Sequence, residues 1–404
     1  MDLGPAQTAR RLRVAIVAGE SSGDTLGAAL IEALRERAPA LEAFGVAGPK
    51  MRAAGCEMLL DAHQLSVMGL FEVLPHLPRL LRLRGRVARE IAARRPDVFI
   101  GVDYQQFNLG LAQRLKRRGL TTVQYVSPQV WAWRQGRVRT IGRAFDLVLC
   151  LLPFEPDFYR EHAVSARFVG HPLADQIPLL PDRAGARAAL GIAADAPVVA
   201  LLPGSRLGEV QRLGAPFLGA AASLAAERPQ LVLLAPMAGS AVRREFERQL
   251  ARQPLAPPVR ILDGQARLAL TAADAALVAS GTATLEAMLC RCPLVAAYRV
   301  GPLTALLLRA LRMVRLPHFA LPNLLAGEKL APEFLQERVQ PEPMARALEQ
   351  LLGDVPRRAY LQQRFDAIHA SLQKKGAALA AEAVLQLLRE RGEVRNVEHA
   401  GGGR

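Results

Sequence analysis

The stretch VVALLPGSRLGE, residues 198–209, decides how the rest of the chain is read. It holds an apolar run of strand length, a turn containing Gly204 and Ser205, and Arg206 just before a helical pattern. A strand that delivers the chain to a helix N-terminus leaves backbone N–H groups without intrahelical acceptors, a setting suited to phosphate. Arg206 adds a forked donor able to grip two phosphate oxygens at once. On these residues alone a plain strand-to-helix turn with a solvated arginine is the better explanation, because Pro-Gly-Ser-Arg is a short pattern.

The same alternation extends outward. In the second half, strands are expected at 198–202, 230–235, 259–262, 274–279 and 293–298, separated by helical stretches. The fourth of these runs into the small-residue turn Ser280-Gly281-Thr282-Ala283-Thr284 and then a helix carrying Glu286. N–H and hydroxyl donors followed one turn later by a carboxylate suit a sugar nucleotide, with phosphate on the donors and the ribose diol on Glu286. The two loops together favour ligand binding over a plain turn. In the first half, LRVAIVAG (12–19) is a strand, followed by ESSGD (20–24) and a helical pattern over 26–37, with Ser22 or Asp24 as its N-cap. FGVAGP (44–49) reads as a second strand entering a turn. PDVFIGV (96–102) is a third, and it delivers Asp103 to its carboxyl end, where ligands of open α/β sheets bind. A turn or capping aspartate is the structural alternative. Strands at 121–126, 146–152 and 166–169 follow, and SPQVWAWR (127–134) places both tryptophans, Trp131 and Trp133, on one loop. They read as core anchors or as ligand-facing aromatics.

Such βαβ alternation predicts an α/β chain of two Rossmann-like parallel-sheet domains. Their bounds are expected at 1–180 and 181–355, with two C-terminal helices within 356–391 and a disordered tail at 392–404. The length of 404 residues agrees with two domains. The segment SVMGLFEVLPHLPRLLRL (66–83) differs in kind, being densely apolar and leading into Arg79, Arg82, Arg84, Arg86 and Arg89. It is a buried lid or an interfacial membrane patch whose arginines reach lipid phosphates.

A net charge of +15 suggests an anionic partner, yet only five of the 52 basic residues are lysine, so genome composition explains part of it. The four cysteines (Cys56, Cys150, Cys290, Cys292) lack zinc-knuckle spacing, and the seven histidines are scattered, which argues against a metal site and for a reducing compartment. No secretory leader is evident, and no run of about 18 uncharged apolar residues would span a bilayer.

Read in order, AGESSGD (18–24), GVAGPKM (45–51), LSVMGLFEVLPHLP (65–78), PDVFIGVD (96–103), FN (107–108), YVSPQVWAWR (125–134), LPFE (152–155), GHPLAD (170–175), LLPGSRLGEV (201–210), SGTATLEAML (280–289) and LPNLLAGE (321–328) resemble the lipid-A-disaccharide synthases. The resemblance runs from about residue 12 to residue 388. That family consists of GT-B glycosyltransferases, and the resemblance implies two Rossmann-like domains facing a cleft, with C-terminal helices crossing back to the first domain. It implies inverting transfer of 2,3-diacylglucosamine from UDP-2,3-diacylglucosamine to 2,3-diacylglucosamine 1-phosphate. The products are a β-1,6-linked disaccharide 1-phosphate and UDP. No cofactor and no metal are implied. The enzyme would work in the cytoplasm, peripherally on the anionic inner face of the inner membrane, as a monomer or a homodimer and without nucleic acid.

On matched positions Asp103 is the expected base, with Glu20 as second choice or acceptor ligand. Arg206 with the 281–284 amides would stabilise departing UDP. Donor binding falls to Gly204, Ser205, Arg206, Ser280, Gly281, Thr282, Thr284, Glu286 and Asn323. Acceptor and membrane contacts fall to Ser21, Gly23, Val67, Met68, Leu70, Phe71, Val73, Leu74, Trp131 and Trp133. One departure stands out. After Gly-x-Asp the family continues Ala-Pro-Asp-Phe-Asn, whereas Gln106 replaces the second aspartate here. Either that aspartate is not the base, which favours Asp103, or activity is weakened. The rival readings are a GT-B enzyme using a UDP-N-acetylglucosamine-type substrate and a basic nucleic-acid-binding protein. The latter lacks any binding motif with interleaved stacking aromatics.

Overall fold

Strands of five or six residues that are buried end to end cannot leave a face to water, and this chain has several. VFIGV, VVALL and AALVA are each buried at every position. Such strands require helices on both sides of a parallel sheet. The computed structural model describes residues 11–62, 73–132, 135–253, 258–301 and 317–392, and it shows two sheets of this kind.

The first sheet contains β1 (Arg13–Ala18), β2 (Glu42–Ala47), β3 (Cys56–Asp61), β4 (Val98–Val102), β5 (Thr121–Tyr125), β6 (Leu147–Cys150) and β7 (Ala166–Phe168). All are parallel, in the order β3-β2-β1-β4-β5-β6-β7. The second contains β8 (Val198–Leu202), β9 (Val232–Met237), β10 (Val259–Asp263), β11 (Ala275–Ala279), β12 (Leu294–Tyr298) and β13 (Glu333–Leu335), ordered β10-β9-β8-β11-β12-β13. In each sheet the winding direction reverses between the first strand and its later neighbour, β1 and β4 or β8 and β11. The carboxyl edge at such a reversal is where doubly wound sheets bind ligands.

The expected two-domain α/β architecture is therefore present, and two edge strands were not anticipated. β3 (CEMLLD) alternates poorly because it is a half-exposed edge, and β13 is only three residues long. The compact units comprise Met1–Pro172 with Leu372–Arg404, and Leu173–Ser371. The return to the first unit thus begins at Leu372, not at 356. Helix Val355–Leu372 stays with the second unit, burying Leu361, Phe365 and Ile368 and pairing Arg364 with Glu328 at 2.8 Å. Only helix Gly376–Glu390 returns, burying Ala380, Val384, Leu385 and Leu388 in one cluster with Leu30, Ile31 and Leu34 of helix Ser21–Arg37. Among the described residues no helix is long and apolar enough to cross a membrane.

Candidate active site

At the reversal point of the first sheet, β1 ends at Ala18 and helix Ser21–Arg37 begins almost at once, with Glu20 as its N-cap residue. The motif residues Ser21 and Gly23 thus lie in the first helical turn rather than in a loop. A side chain at Gly19 would put its Cβ 2.4 Å from the Tyr104 ring, so glycine is required for the two loops to approach. Gly23 is similarly close: a Cβ there would lie 3.3 Å from the Val102 carbonyl oxygen and 3.7 Å from the Asp103 Cβ. Neither expected cap serves this helix. Asp24 is buried inside it, and its carboxylate accepts from the N–H groups of Gly48 (2.9 Å), Lys50 (2.9 Å) and Met51 (3.0 Å). It therefore caps the neighbouring helix Pro49–Ala53 and ties the GVAGPKM motif to the AGESSGD motif. Ser22 instead donates to Asp103 Oδ2 at 3.1 Å, bridging the two loops of the reversal point.

Asp103 and Tyr104 follow β4 with φ of 52° and 34°, two consecutive non-glycine residues in the left-handed region. Each such residue costs about 1–2 kcal/mol unless its surroundings impose it. The Asp103 N–H donates to the Tyr125 carbonyl at 2.9 Å. Its own carbonyl accepts from the buried amides of Asn108 (3.0 Å) and Gln124 (3.1 Å). Burial raises the Tyr104 phenol above its ordinary range, and the negative charge of Glu20 raises it further. Gln106, standing where the family pattern has aspartate, accepts from Arg137 Nη2 at 3.1 Å.

The tryptophan loop departs from the ligand-facing reading. Trp131 is buried, packs edge-on to Phe154 at 4.9 Å, and donates its indole N–H to Glu155 Oε1 at 3.0 Å. It is a core anchor and does not face an acceptor, because its one polar atom is already engaged. Trp133 lies outside the described residues, as do Val67, Met68, Leu70 and Phe71. Val73 and Leu74 open helix Val73–Ala93. Farther along that helix Arg79, Arg82, Arg86 and Arg89 are exposed at intervals of three and four residues, forming one basic stripe, with Leu81 exposed beside it.

In the second unit the turn after β8 is built around Glu209. Gly204 has φ of +127°, and a Cβ there would lie 2.4 Å from Glu209 Cβ, so both conformation and space demand glycine. Glu209 Oε2 accepts from the N–H groups of Ser205 (3.1 Å) and Arg206 (3.3 Å). These amides, expected to face phosphate, are satisfied within the protein. Arg206 keeps only a loose 3.7 Å pairing with Glu209, and its side chain is 84% exposed. The loop therefore offers a guanidinium, not a cradle of amides.

The open amides lie across the reversal point. Gly281 has φ of +146°, and a Cβ built on it would meet no atom within 4 Å. Thr282 beside it is exposed and begins helix Thr282–Leu289. Its N–H and that of Ala283 have no intrahelical acceptor, whereas the expected Thr284 amide is already engaged, donating to the Gly281 carbonyl at 3.1 Å. Ser280 and Thr284 support this turn from behind. Ser280 Oγ donates to the Phe319 carbonyl at 3.2 Å. The buried Thr284 hydroxyl donates to the Gly281 carbonyl at 2.8 Å and accepts from the Leu321 N–H at 3.4 Å. Glu286 is partly buried, with Arg267 Nε at 3.7 Å from Oε1. Desolvation raises its pKa against the opposing pull of Arg267. Asn323 is not a ligand-facing group. It is fully buried, its amide donates to the Ala331 carbonyl at 2.8 Å, and its oxygen accepts from the Leu330 and Ala331 N–H groups, both at 2.8 Å. It folds residues 321–331 into the support behind Ser280 and Thr284.

Sequence reasoning quoted Glu209, Asn108 and Glu155 inside motifs without giving them tasks, and it missed Gln124. Glu209 and Glu155 accept from N–H groups only three and four residues away, a local capping geometry. Asn108 and Gln124 instead converge on the Asp103 carbonyl from two different elements, which no spacing rule reveals. Among the described residues no cluster of three or more His, Cys, Asp or Glu side chains could hold a metal ion.

Comparison with known proteins agrees with this layout. The family model for lipid-A-disaccharide synthetase matches residues 14–387. The lipid-A-disaccharide synthase of Pseudomonas aeruginosa (strain UCBPP-PA14) is 53% identical over 381 residues, covering 94% of this chain and 99% of that protein. The synthase of Alkalilimnicola ehrlichii is 52% identical over 376 residues, covering 93% and 98%. Among solved structures, CalG4, the calicheamicin glycosyltransferase, superposes with a TM-score of 0.58 at 18% identity, covering 95% of this chain and 99% of that one. Anabaena HepE, solved with UDP and glucose, gives 0.55 at 14%, covering 94% and 100%. The latter two show likeness of fold alone. With two doubly wound parallel sheets, the family model matched along nearly the whole length and half of all residues shared with curated members, the chain belongs to the lipid-A-disaccharide synthase family of glycosyltransferases.

Proposed function

We propose that this protein transfers 2,3-diacylglucosamine from its UDP conjugate to the 6-hydroxyl of 2,3-diacylglucosamine 1-phosphate with inversion. The carboxylate of Asp103 takes the hydroxyl proton as that oxygen attacks the anomeric carbon. The new C–O bond forms as the bond from the anomeric carbon to the β-phosphate oxygen breaks, and the electron pair leaves with UDP. The exposed Arg206 guanidinium and the first N–H groups of helix Thr282–Leu289 stabilise the charge gathering on that phosphate. Glu286 accepts from the ribose diol, and Glu20, at the N-cap of helix Ser21–Arg37, binds the acceptor sugar. Ser280, Thr284 and Asn323 act by supporting the Gly281 turn rather than by touching donor.

The observation that carries this reading is the Ser22–Asp103 contact across the β1/β4 reversal point, which presents a carboxylate where such sheets hold ligands. Both substrates bear acyl chains, so the enzyme works at a bilayer surface. The arginine stripe of helix Val73–Ala93 supplies the peripheral contact with anionic lipid on the cytoplasmic side. The test is incubation of purified protein with both acylated glucosamines in detergent micelles, reading UDP release and disaccharide mass. UDP-N-acetylglucosamine serves as the control donor. Absence of product with the acylated pair overturns the proposal.

A further inference from the structure

We propose that Asn108 and Gln124 are positioning residues that impose the left-handed backbone of Asp103, and that Gly101 is glycine in order to admit Asn108. The inference rests on the reading of Asp103 as the base. Two wholly buried carboxamides from different elements, helix Gln105–Lys116 and β5, converge on the single carbonyl of Asp103 at 3.0 and 3.1 Å. Asn108 Nδ2 also lies 3.4 Å from the carbonyls of Val17 in β1 and Val102 in β4, so it sits across the strand pair at the reversal point. Gln124 Nε2 extends to the carbonyls of Tyr125 at 3.3 Å and Val126 at 3.2 Å. With the Asp103 N–H on the Tyr125 carbonyl, the peptide groups on both sides of Asp103 are held.

Two adjacent non-glycine residues with positive φ persist only where surroundings over-determine them. The conformation matters because it sets the direction of the Asp103 Cβ and so brings the carboxylate to Ser22. Relaxing φ would swing the carbonyl off both amides and turn the carboxylate away. The arrangement has a cost that a purely structural purpose leaves unexplained. Asn108 Oδ1 and Gln124 Oε1 are buried with no hydrogen-bond partner among the described residues, whereas an apolar side chain would fill the same space without an orphaned acceptor. Gly101 completes the device, since a Cβ there would lie 2.8 Å from Asn108 Cβ and 3.0 Å from its Nδ2. The Gly-x-Asp and Phe-Asn motifs are therefore one mechanical unit.

Steady-state kinetics of the full chain with both acylated substrates test this in Asn108→Ala, Gln124→Leu, Asp103→Asn and the two double variants. Each amide variant is expected to lower kcat by roughly 10- to 100-fold, with KM for both substrates within about twofold. Gln124→Leu deletes an unpartnered oxygen but also the donor to the Asp103, Tyr125 and Val126 carbonyls, so its thermal midpoint should fall while the chain remains folded. In the Asp103→Asn background, either amide substitution should change residual turnover by less than about twofold, since the group it positions is gone. Undiminished kcat in the folded single variants overturns the proposal. So does a fall in thermal midpoint without a fall in kcat, or a loss that persists in full beside Asp103→Asn. Should Asn108→Ala fail to fold, Gln124→Leu decides. Wild-type turnover in Asp103→Asn alone would instead defeat the reading of Asp103 as base, a result distinct from all of these.

Discussion

Titrating Glu155 should change the stability of the first unit with a sign fixed by its surroundings. Its Oε1 accepts from the Trp131 indole at 3.0 Å, and its Oε2 from the N–H groups of Leu151 (3.1 Å) and Leu152 (2.9 Å). Burial pushes its pKa up to about 7 from 4.5, outweighing these donors and Ser127, which favour the charged form. The folded protein therefore holds this proton more tightly than the unfolded chain does. The resulting stabilisation is full below pH 4.5 and is lost as pH rises through about 7. At 1.36 kcal/mol per pKa unit, the displacement is worth about 3 kcal/mol. Glu155→Gln cannot titrate, and its amide nitrogen must face one of the donors, which lowers its stability by an amount independent of pH. Urea denaturation of both proteins from about pH 4.5 to 8 separates the two effects. The variant should gain about 3 kcal/mol relative to the parent across that range. Parallel curves, with a constant gap between the proteins, would refute the reasoning.

Arg206→Ala should lower kcat by about 10²–10³-fold, and Arg206→Lys should recover only part, since an ammonium cannot make the forked contact. Unchanged turnover in Arg206→Ala would return the 203–206 turn to a plain connection. Gly101→Ala should cost about 1–3 kcal/mol in denaturation experiments through overpacking against Asn108, and should lower kcat as Asn108→Ala does. Replacing Arg79, Arg82, Arg86 and Arg89 by glutamine should weaken cosedimentation with anionic vesicles by about 10³-fold, at roughly 1 kcal/mol per arginine, while activity in micelles persists. Equal vesicle binding would remove that stripe from the membrane contact.

The fold was legible where chemistry is local. Runs such as VFIGV and VVALL declare buried parallel strands, and Gly-bearing turns before helical patterns mark the βα units. β3 and β13 were not legible, since a half-exposed edge strand mixes charged and apolar residues and a three-residue strand has no period. At the site, residue types pointed to Asp103 and Arg206 as candidates, while side-chain direction was not legible. Asn323 and Trp131 sit in the motifs the family shares and yet point inward to the Leu330–Ala331 backbone and to Glu155. Glu209 shows the reverse. A residue without an assigned task occupies the amides that the sequence pattern reserved for phosphate. Motif membership marks a constrained position, while the constraint itself is set by burial and by which neighbouring polar groups the side chain meets.

Helix Gly376–Glu390 has a consequence for how the protein is made. Its Val384, Leu385 and Leu388 lie wholly within the core of the first unit, and Arg391 just beyond it pairs with Asp146 at 2.7 Å. Three such side chains contribute roughly 5–9 kcal/mol, comparable to the whole stability of a domain. The unit synthesised first is thus the last able to close. On the ribosome residues 173–371 can fold as a contiguous body while the first unit waits, its helix Ser21–Arg37 still exposing Leu30, Ile31 and Leu34. Termination between residues 371 and 376 should leave residues 173–371 folded and attached to a sticky, proteolysis-prone first unit.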